Sequence, residues 1–145
     1  FRRWILRGMG YTNIHESVIL ERDLNLDRVD PKGITIRKHC LIASGSTILC
    51  HEHVYRDKDN PDLPLLNPVV IGERTFVGVG ATILPGVTIG ADCIIGAGAI
   101  VSKDIPDGSL AVGVPAIVIK SGLKMNDMAI LSSVNGFKVC GDQAL

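Results

Sequence analysis

Aromatic side chains are scarce in this chain: one Trp, two Tyr and three Phe make up 4% of its 145 residues. A conventional globular core leans on such rings together with Leu, so this sequence builds its interior some other way. An excess of basic charge is also missing, because 15 Lys plus Arg face 15 Asp plus Glu. Nucleic acid is therefore not expected as a partner, since neutralising phosphates takes a cationic footprint. No apolar run approaches the length of a membrane span. The four cysteines, Cys40, Cys50, Cys93 and Cys140, show no CxxC pair or other metal-ligand spacing. Free thiols suit a reducing compartment, so the expected location is cytoplasmic.

What the chain does have is a repeat. A β-branched aliphatic recurs at Ile71, Val77, Ile83, Ile89, Ile95 and Val101, at every sixth position without a slip. At the fourth position after each of the first five stands a small or short side chain: Thr75, Ala81, Val87, Cys93 and Ala99. The residue just after each of those five aliphatics is Gly at 72, 78, 90 and 96, with Leu84 the exception. An amphipathic helix repeats at about 3.6 residues and an amphipathic strand at two, and neither produces a period of six with a glycine column. Short strands joined by tight corners do, with the aliphatic filling the interior and the small residue letting the chain turn close to it. The expected fold is all-β, a parallel β-solenoid whose narrow interior takes Ile, Val and Ala.

At this length the chain reads as one domain, 1–145. Residues 1–10, FRRWILRGMG, suit a short amphipathic helix closed by Gly8. Such a helix would either cover the open end of the solenoid, the preferred reading, or lie on an anionic membrane surface. From Tyr11 to Val29 short strands are expected around Ile14, Val18, Leu20, Leu24 and Leu26, with no hexad register, and His15 is expected at the surface. The register appears at Ile36, Ile42 and Ile48, with Cys40 and Ser46 in the small column and His39 pointing outward. It then breaks, because the step from Ile48 to Ile71 is not a multiple of six. The segment between carries Pro61, Pro64 and Pro68, so residues 51–68 are expected to leave the solenoid as a protruding loop that carries function. Beyond Val101 the hexad frays. Residues 123–145 read as an irregular helix or packed tail, with no role assigned.

The chemistry-bearing residues cluster where the loop departs: His51, Glu52, His53, Tyr55, Arg56 and Asp57. Two histidines at alternate positions of a strand share a face. From spacing alone they could catalyse, hold a metal, or be ordinary loop residues.

The run from Val69 to Lys120, with its ILPGVTIG corner, SKDIP turn and GVPA segment, resembles the hexapeptide-repeat acyltransferases of the maltose, galactoside and polysaccharide O-acetyltransferase branch. That resemblance implies a left-handed parallel β-helix of triangular section, against the usual right-handed preference of parallel crossovers, with two complete coils in 71–106. It implies acetyl transfer from acetyl-CoA to a sugar hydroxyl in polysaccharide or oligosaccharide biosynthesis, with no metal, in a homotrimer with sites between subunits. The family's general base matches His53, with Asp57 shortly after it and His51 as runner-up. A group titrating near pH 6.5 can take a hydroxyl proton and return it to a leaving thiolate. Direct attack in a ternary complex is expected, because no loop Cys or Ser is paired with a base in a recognisable motif. The cofactor positions carried over are Phe76, Gly78, Ala81, Gly98, Ser102, Lys103 and Lys120. Two departures stand out. Phe76 occupies a position where Trp is common, and Ile117 one where Arg or Lys is common. An amino-sugar N-acetyltransferase remains open as an alternative. So does a serine acetyltransferase-like enzyme, although the helical domain of that family is absent. From other classes, a non-catalytic scaffold and a γ-carbonic-anhydrase-like zinc protein remain, the latter with no histidine in 71–106 to complete its site.

Overall fold

A computed structural model describes residues 2–54 and 59–133. Helix α1 (Arg2–Gly8) precedes the solenoid. The first coil holds a single bridge residue, Ile14, then β1 (Ile19–Leu20) and β2 (Asn25–Leu26). The second holds β3 (Ile34–Ile36), β4 (Leu41–Ile42) and β5 (Thr47–Ile48). Strands β6 (His51–Glu52) and β7 (Leu65–Leu66) pair antiparallel within the protruding loop. The third coil is β8 (Val69–Ile71), β9 (Phe76–Val77) and β10 (Thr82–Ile83), and the fourth β11 (Thr88–Ile89), β12 (Ile94–Ile95) and β13 (Ile100–Val101). After them come β14 (Leu110–Val112), β15 (Ile117–Lys120), β16 (Lys124–Met125) and β17 (Leu131–Ser133).

The coils stack into three parallel faces. The first runs β1-β4-β9-β12-β14, with β15 added antiparallel at its end; the second runs β2-β5-β10-β13; the third runs β3-β8-β11. Thr82 pairs with Ile100, Val70 with Thr88 and Phe76 with Ile94, so a regular coil takes three hexads. The left-handed parallel β-helix is the fold.

The interior follows the two columns. Ile71, Val77, Ile83, Ile89, Ile95 and Val101 are fully buried, as are Thr75, Ala81, Cys93 and Ala99, with Val87 nearly so. Burying such an aliphatic contributes roughly 1.5–3 kcal/mol, and the stacked column repeats that gain at every hexad. The polar member, Thr75, is satisfied inside: its hydroxyl donates to Gly90 O at 2.9 Å and accepts the Cys93 N–H at 3.2 Å. The glycine column has a steric cause. A Cβ on Gly78 would stand 2.7 Å from Ala97 N and Ile95 O of the next coil. At the third position after the aliphatic the chain turns through positive φ, met by Gly80 and Gly98 on one edge and by Arg74 and Asp92 on another.

Four expectations are corrected. The first coil does hold the hexad register, because Ile14, Leu20 and Leu26 keep the six-residue step and pair with Ile36, Ile42 and Ile48. What hid it is the offset between these two coils, which is longer than three hexads. The extra residues sit in the turn from Asp27 to Gly33, which obscures continuity with Ile36. At the N-terminus the helix runs through Gly8, and the left-handed residue after it is Gly10. His39 is half-buried at positive φ rather than simply outward. For 123–145 the irregular helix is overturned and the packed tail stands in the described part, which is an antiparallel pair, β16 with β17, with Leu123, Met125 and Ala129 buried; Cys140 lies outside the described residues.

The loop makes the step from the second coil to the third nearly twice that of a regular coil, as the pairing of Ile36 with Ile71 shows. It leaves β5 on the second face and returns to β8 on the third. The site is therefore fixed to one edge of the prism.

Candidate active site

Asp27 follows β2, and Cys50 and His51 lie on the coil above, just past β5. The ladder places them together: Asp27 N–H donates to Ile48 O at 2.9 Å. The Asp27 side chain is wholly buried. Its Oδ1 accepts the N–H of Val29 at 2.8 Å and of Asp30 at 3.4 Å, and its Oδ2 accepts the Cys50 N–H at 2.7 Å. The same Oδ2 meets His51 Nδ1 at 2.5 Å. Burial alone would raise the carboxyl pKa. The Cys50 N–H, the His51 ring and the N–H groups of Val29 and Asp30 together outweigh it and bring the pKa down to about 2. Asp27 is thus an ionised, fully engaged acceptor.

The Tyr11 hydroxyl braces this corner from below, within 3.1 Å of Leu26 O and 2.9 Å of Asp27 O. His51 is partly exposed, its side chain retaining 20% of its accessible surface. His53 is exposed, and its ring meets that of His51 edge to face with centroids 5.2 Å apart. Asp57 lies outside the described residues, as do Tyr55 and Arg56.

Cys50 is buried beside this cluster, its thiol donating to Asp30 O at 2.9 Å. Burial and the nearby carboxylates of Asp27 and Asp30 push its pKa up to about 12. It is no nucleophile, because the thiolate is the reactive form. Among the described residues no group of three or more His, Cys, Asp or Glu is placed to hold a metal ion.

The seven cofactor positions divide between two parts of the prism. Ser102 and Lys103 are exposed just after β13, on the same edge as the histidine pair and two coils further along, about 10 Å at the usual strand spacing. Phe76 is half-buried on the first face, and exposed Gly98 lies at the edge between the first and second faces. Lys120 is half-buried on β15. Gly78 and Ala81 are buried, and the ladder engages their backbone: Gly78 N–H donates to Ile95 O, Ala81 N–H to Gly78 O, and Ala81 O accepts from Thr47. Within one chain the histidine edge and the Phe76–Gly98 surface are separate.

Sequence reasoning missed Asp27. The available signal was the first-coil register: once Leu26 is aligned with Ile48, Asp27 falls beneath the root of the loop, one coil below the histidines.

Residues 68–103 match the family model described as bacterial transferase hexapeptide, six repeats. A putative acetyltransferase of Bacillus subtilis, YvoF, is 35% identical over 129 residues, covering 87% of this chain and 70% of that protein. A galactoside O-acetyltransferase of Lactococcus lactis is 33% identical over 137 residues, covering 94% of this chain and 65% of its own length. A solved galactoside acetyltransferase in complex with coenzyme A superposes with a TM-score of 0.61 at 33% identity, covering 76% of this chain and 56% of that one. The chain belongs to the hexapeptide-repeat acetyltransferase family. It spans about two thirds of the length of the Lactococcus relative.

Proposed function

We propose that this protein transfers the acetyl group of acetyl-CoA to a hydroxyl of a sugar, the proton being taken by a histidine of the His51–His53 pair. The observation that carries the reading is the His51–Asp27 contact at the root of the protruding loop, where a base is oriented by a buried carboxylate. The family resemblance favours His53 as the base, with Asp57 four residues on in the sequence. The similarity to galactoside acetyltransferases, one of them in complex with coenzyme A, supports donor and acceptor class. Direct attack is favoured over an acyl-enzyme, because the thiol nearest the histidines, Cys50, is buried and held protonated. With acetyl-CoA as donor the reaction belongs on the cytoplasmic side, and oligosaccharide or polysaccharide modification is the process it fits.

A neighbouring copy would complete the site. The outward positions of the first face form an apolar column, Ile19, Leu41, Phe76, Ile94 and Leu110, and Ile117, Val118 and Ile119 of the adjoining β15 are exposed. Packing this face near the histidine edge of another subunit, as in a trimer, would bring Phe76 and Gly98 together with His51, His53, Ser102 and Lys103. Lys120 would then serve the nucleotide phosphates.

Thiol release from acetyl-CoA, followed across a panel of galactosides and maltose, tests the reading. Release that depends on the acceptor and is lost in the His51→Ala, His53→Ala double variant is the expected result. No acceptor-dependent release from the wild-type protein would overturn it.

A further inference from the structure

Two histidines stand where one proton must be taken. Within the transferase reading, on which this rests, we infer that His51 is the proton acceptor and that Asp27 is its positioning residue. Three backbone N–H groups, from Val29, Asp30 and Cys50, hold the Asp27 carboxylate from both oxygens, so it cannot rotate. The remaining approach to Oδ2 is taken by His51 Nδ1. An ionised carboxylate only accepts, so Nδ1 carries the proton and Nε2 holds the lone pair on the opposite side of the ring. The corner is rigid beneath, because Tyr11 is bonded to the backbone carbonyls at Leu26 and Asp27 and Asp27 N–H joins the ladder. His53 stands further out, its ring against that of His51.

The step balances on this histidine alone. As the sugar oxygen forms its bond to the thioester carbonyl carbon, Nε2 takes the hydroxyl proton and His51 becomes imidazolium opposite Asp27. The C–S bond then breaks, its electron pair leaving with sulfur. Nε2 returns the proton to that sulfur, giving coenzyme A thiol, the O-acetyl sugar and neutral His51. Asp27 takes no proton. It fixes the tautomer and stabilises the imidazolium while it lasts.

The first test needs no substrate. Long-range ¹⁵N–¹H correlation spectra of protein labelled at histidine nitrogen should report neutral His51 as the Nδ1–H tautomer. In Asp27→Asn an amide donor faces the ring and should move the proton to Nε2. Wild-type His51 found as the Nε2–H tautomer overturns the inference. The second test is kinetic, by thiol release with galactosides and maltose as acceptors. His51→Ala and Asp27→Asn should each lower kcat at least about 100-fold while the KM for acetyl-CoA stays within about threefold. The double variant should be no slower than His51→Ala alone, a coupling that general weakening of the fold would not produce. His53→Ala should keep at least about a tenth of kcat. Loss of kcat in His53→Ala with activity retained in His51→Ala overturns the inference and leaves the transferase reading intact. A wild-type protein with no thiol release fails that reading instead, and the tautomer spectrum still decides the Asp27–His51 assignment.

Discussion

Replacing Gly72 by Ala measures how tightly the coils are stacked. Gly72 follows the inward Ile71, and an added Cβ would lie 2.4 Å from Gly90 C and 2.5 Å from both Gly90 O and Ala91 N. All three atoms are backbone of the next coil, so no side chain can swing aside. Reaching ordinary carbon contact requires the two coils to part by about 1 Å at this corner. The Gly72 N–H to Ile89 O bond, 2.8 Å in the native ladder, would then stretch beyond hydrogen-bonding range. Losing one or two ladder bonds at about 1 kcal/mol each, together with about 1–3 kcal/mol for overpacking, places the destabilisation near about 3 kcal/mol. Gly80 is the control. It occupies the turn with φ +66 and has nothing within 4 Å of the added methyl, so Gly80→Ala should cost only the left-handed backbone penalty, about 1–2 kcal/mol. Urea unfolding followed by far-UV circular dichroism, at one fixed protein concentration, gives both values. Gly72→Ala proving as stable as Gly80→Ala would refute the stacking argument.

Three further outcomes follow from the same structure. Ile89→Ala should destabilise the fold by about 2–5 kcal/mol in the same urea assay, because the fully buried column has little freedom to collapse around the void. Asp27 should make stability acid-sensitive. Its folded pKa of about 2 lies below the unfolded value, so its contribution is complete above about pH 4 and disappears as the pH falls toward about 2, amounting to roughly 2–3 kcal/mol. The stability difference between wild type and Asp27→Asn should therefore shrink over that window, and a constant difference would count against the assignment. Cys40, Cys50 and Cys93 are buried, with burial holding the first near pKa 11 and the second near 12. Peptide mapping after iodoacetamide at pH 8 should find all three unlabelled until urea is added; rapid native labelling of Cys50 would reopen an acyl-enzyme route.

Much of this architecture was legible because one column of Ile and Val and one of small residues leave few ways to fold. The hexads between Ile71 and Val101 determine strand, corner and coil length together, and the loss of register after Ile48 marks the loop. The first coil was harder to see, because Leu20 and Leu26 keep the period while the longer turn from Asp27 to Gly33 breaks its phase with Ile36. That offset also concealed Asp27, whose partner His51 is close in space but more than a full coil away in sequence. Gly78 and Ala81 illustrate the opposite difficulty. A motif names the position, whereas the ladder decides which atoms remain available, and in both residues the N–H is already committed. The tail could not be read as β16 and β17, since no hexad repeat extends past Val101 to announce a hairpin.

The most direct measurement is thermal unfolding of the chain with and without acetyl-CoA, run beside the same titration with zinc. A ligand at about a hundred times its dissociation constant adds about 2.7 kcal/mol of stability, which raises the midpoint visibly. The transferase account predicts a concentration-dependent rise with acetyl-CoA and none with zinc. A rise with zinc and none with acetyl-CoA would contradict it.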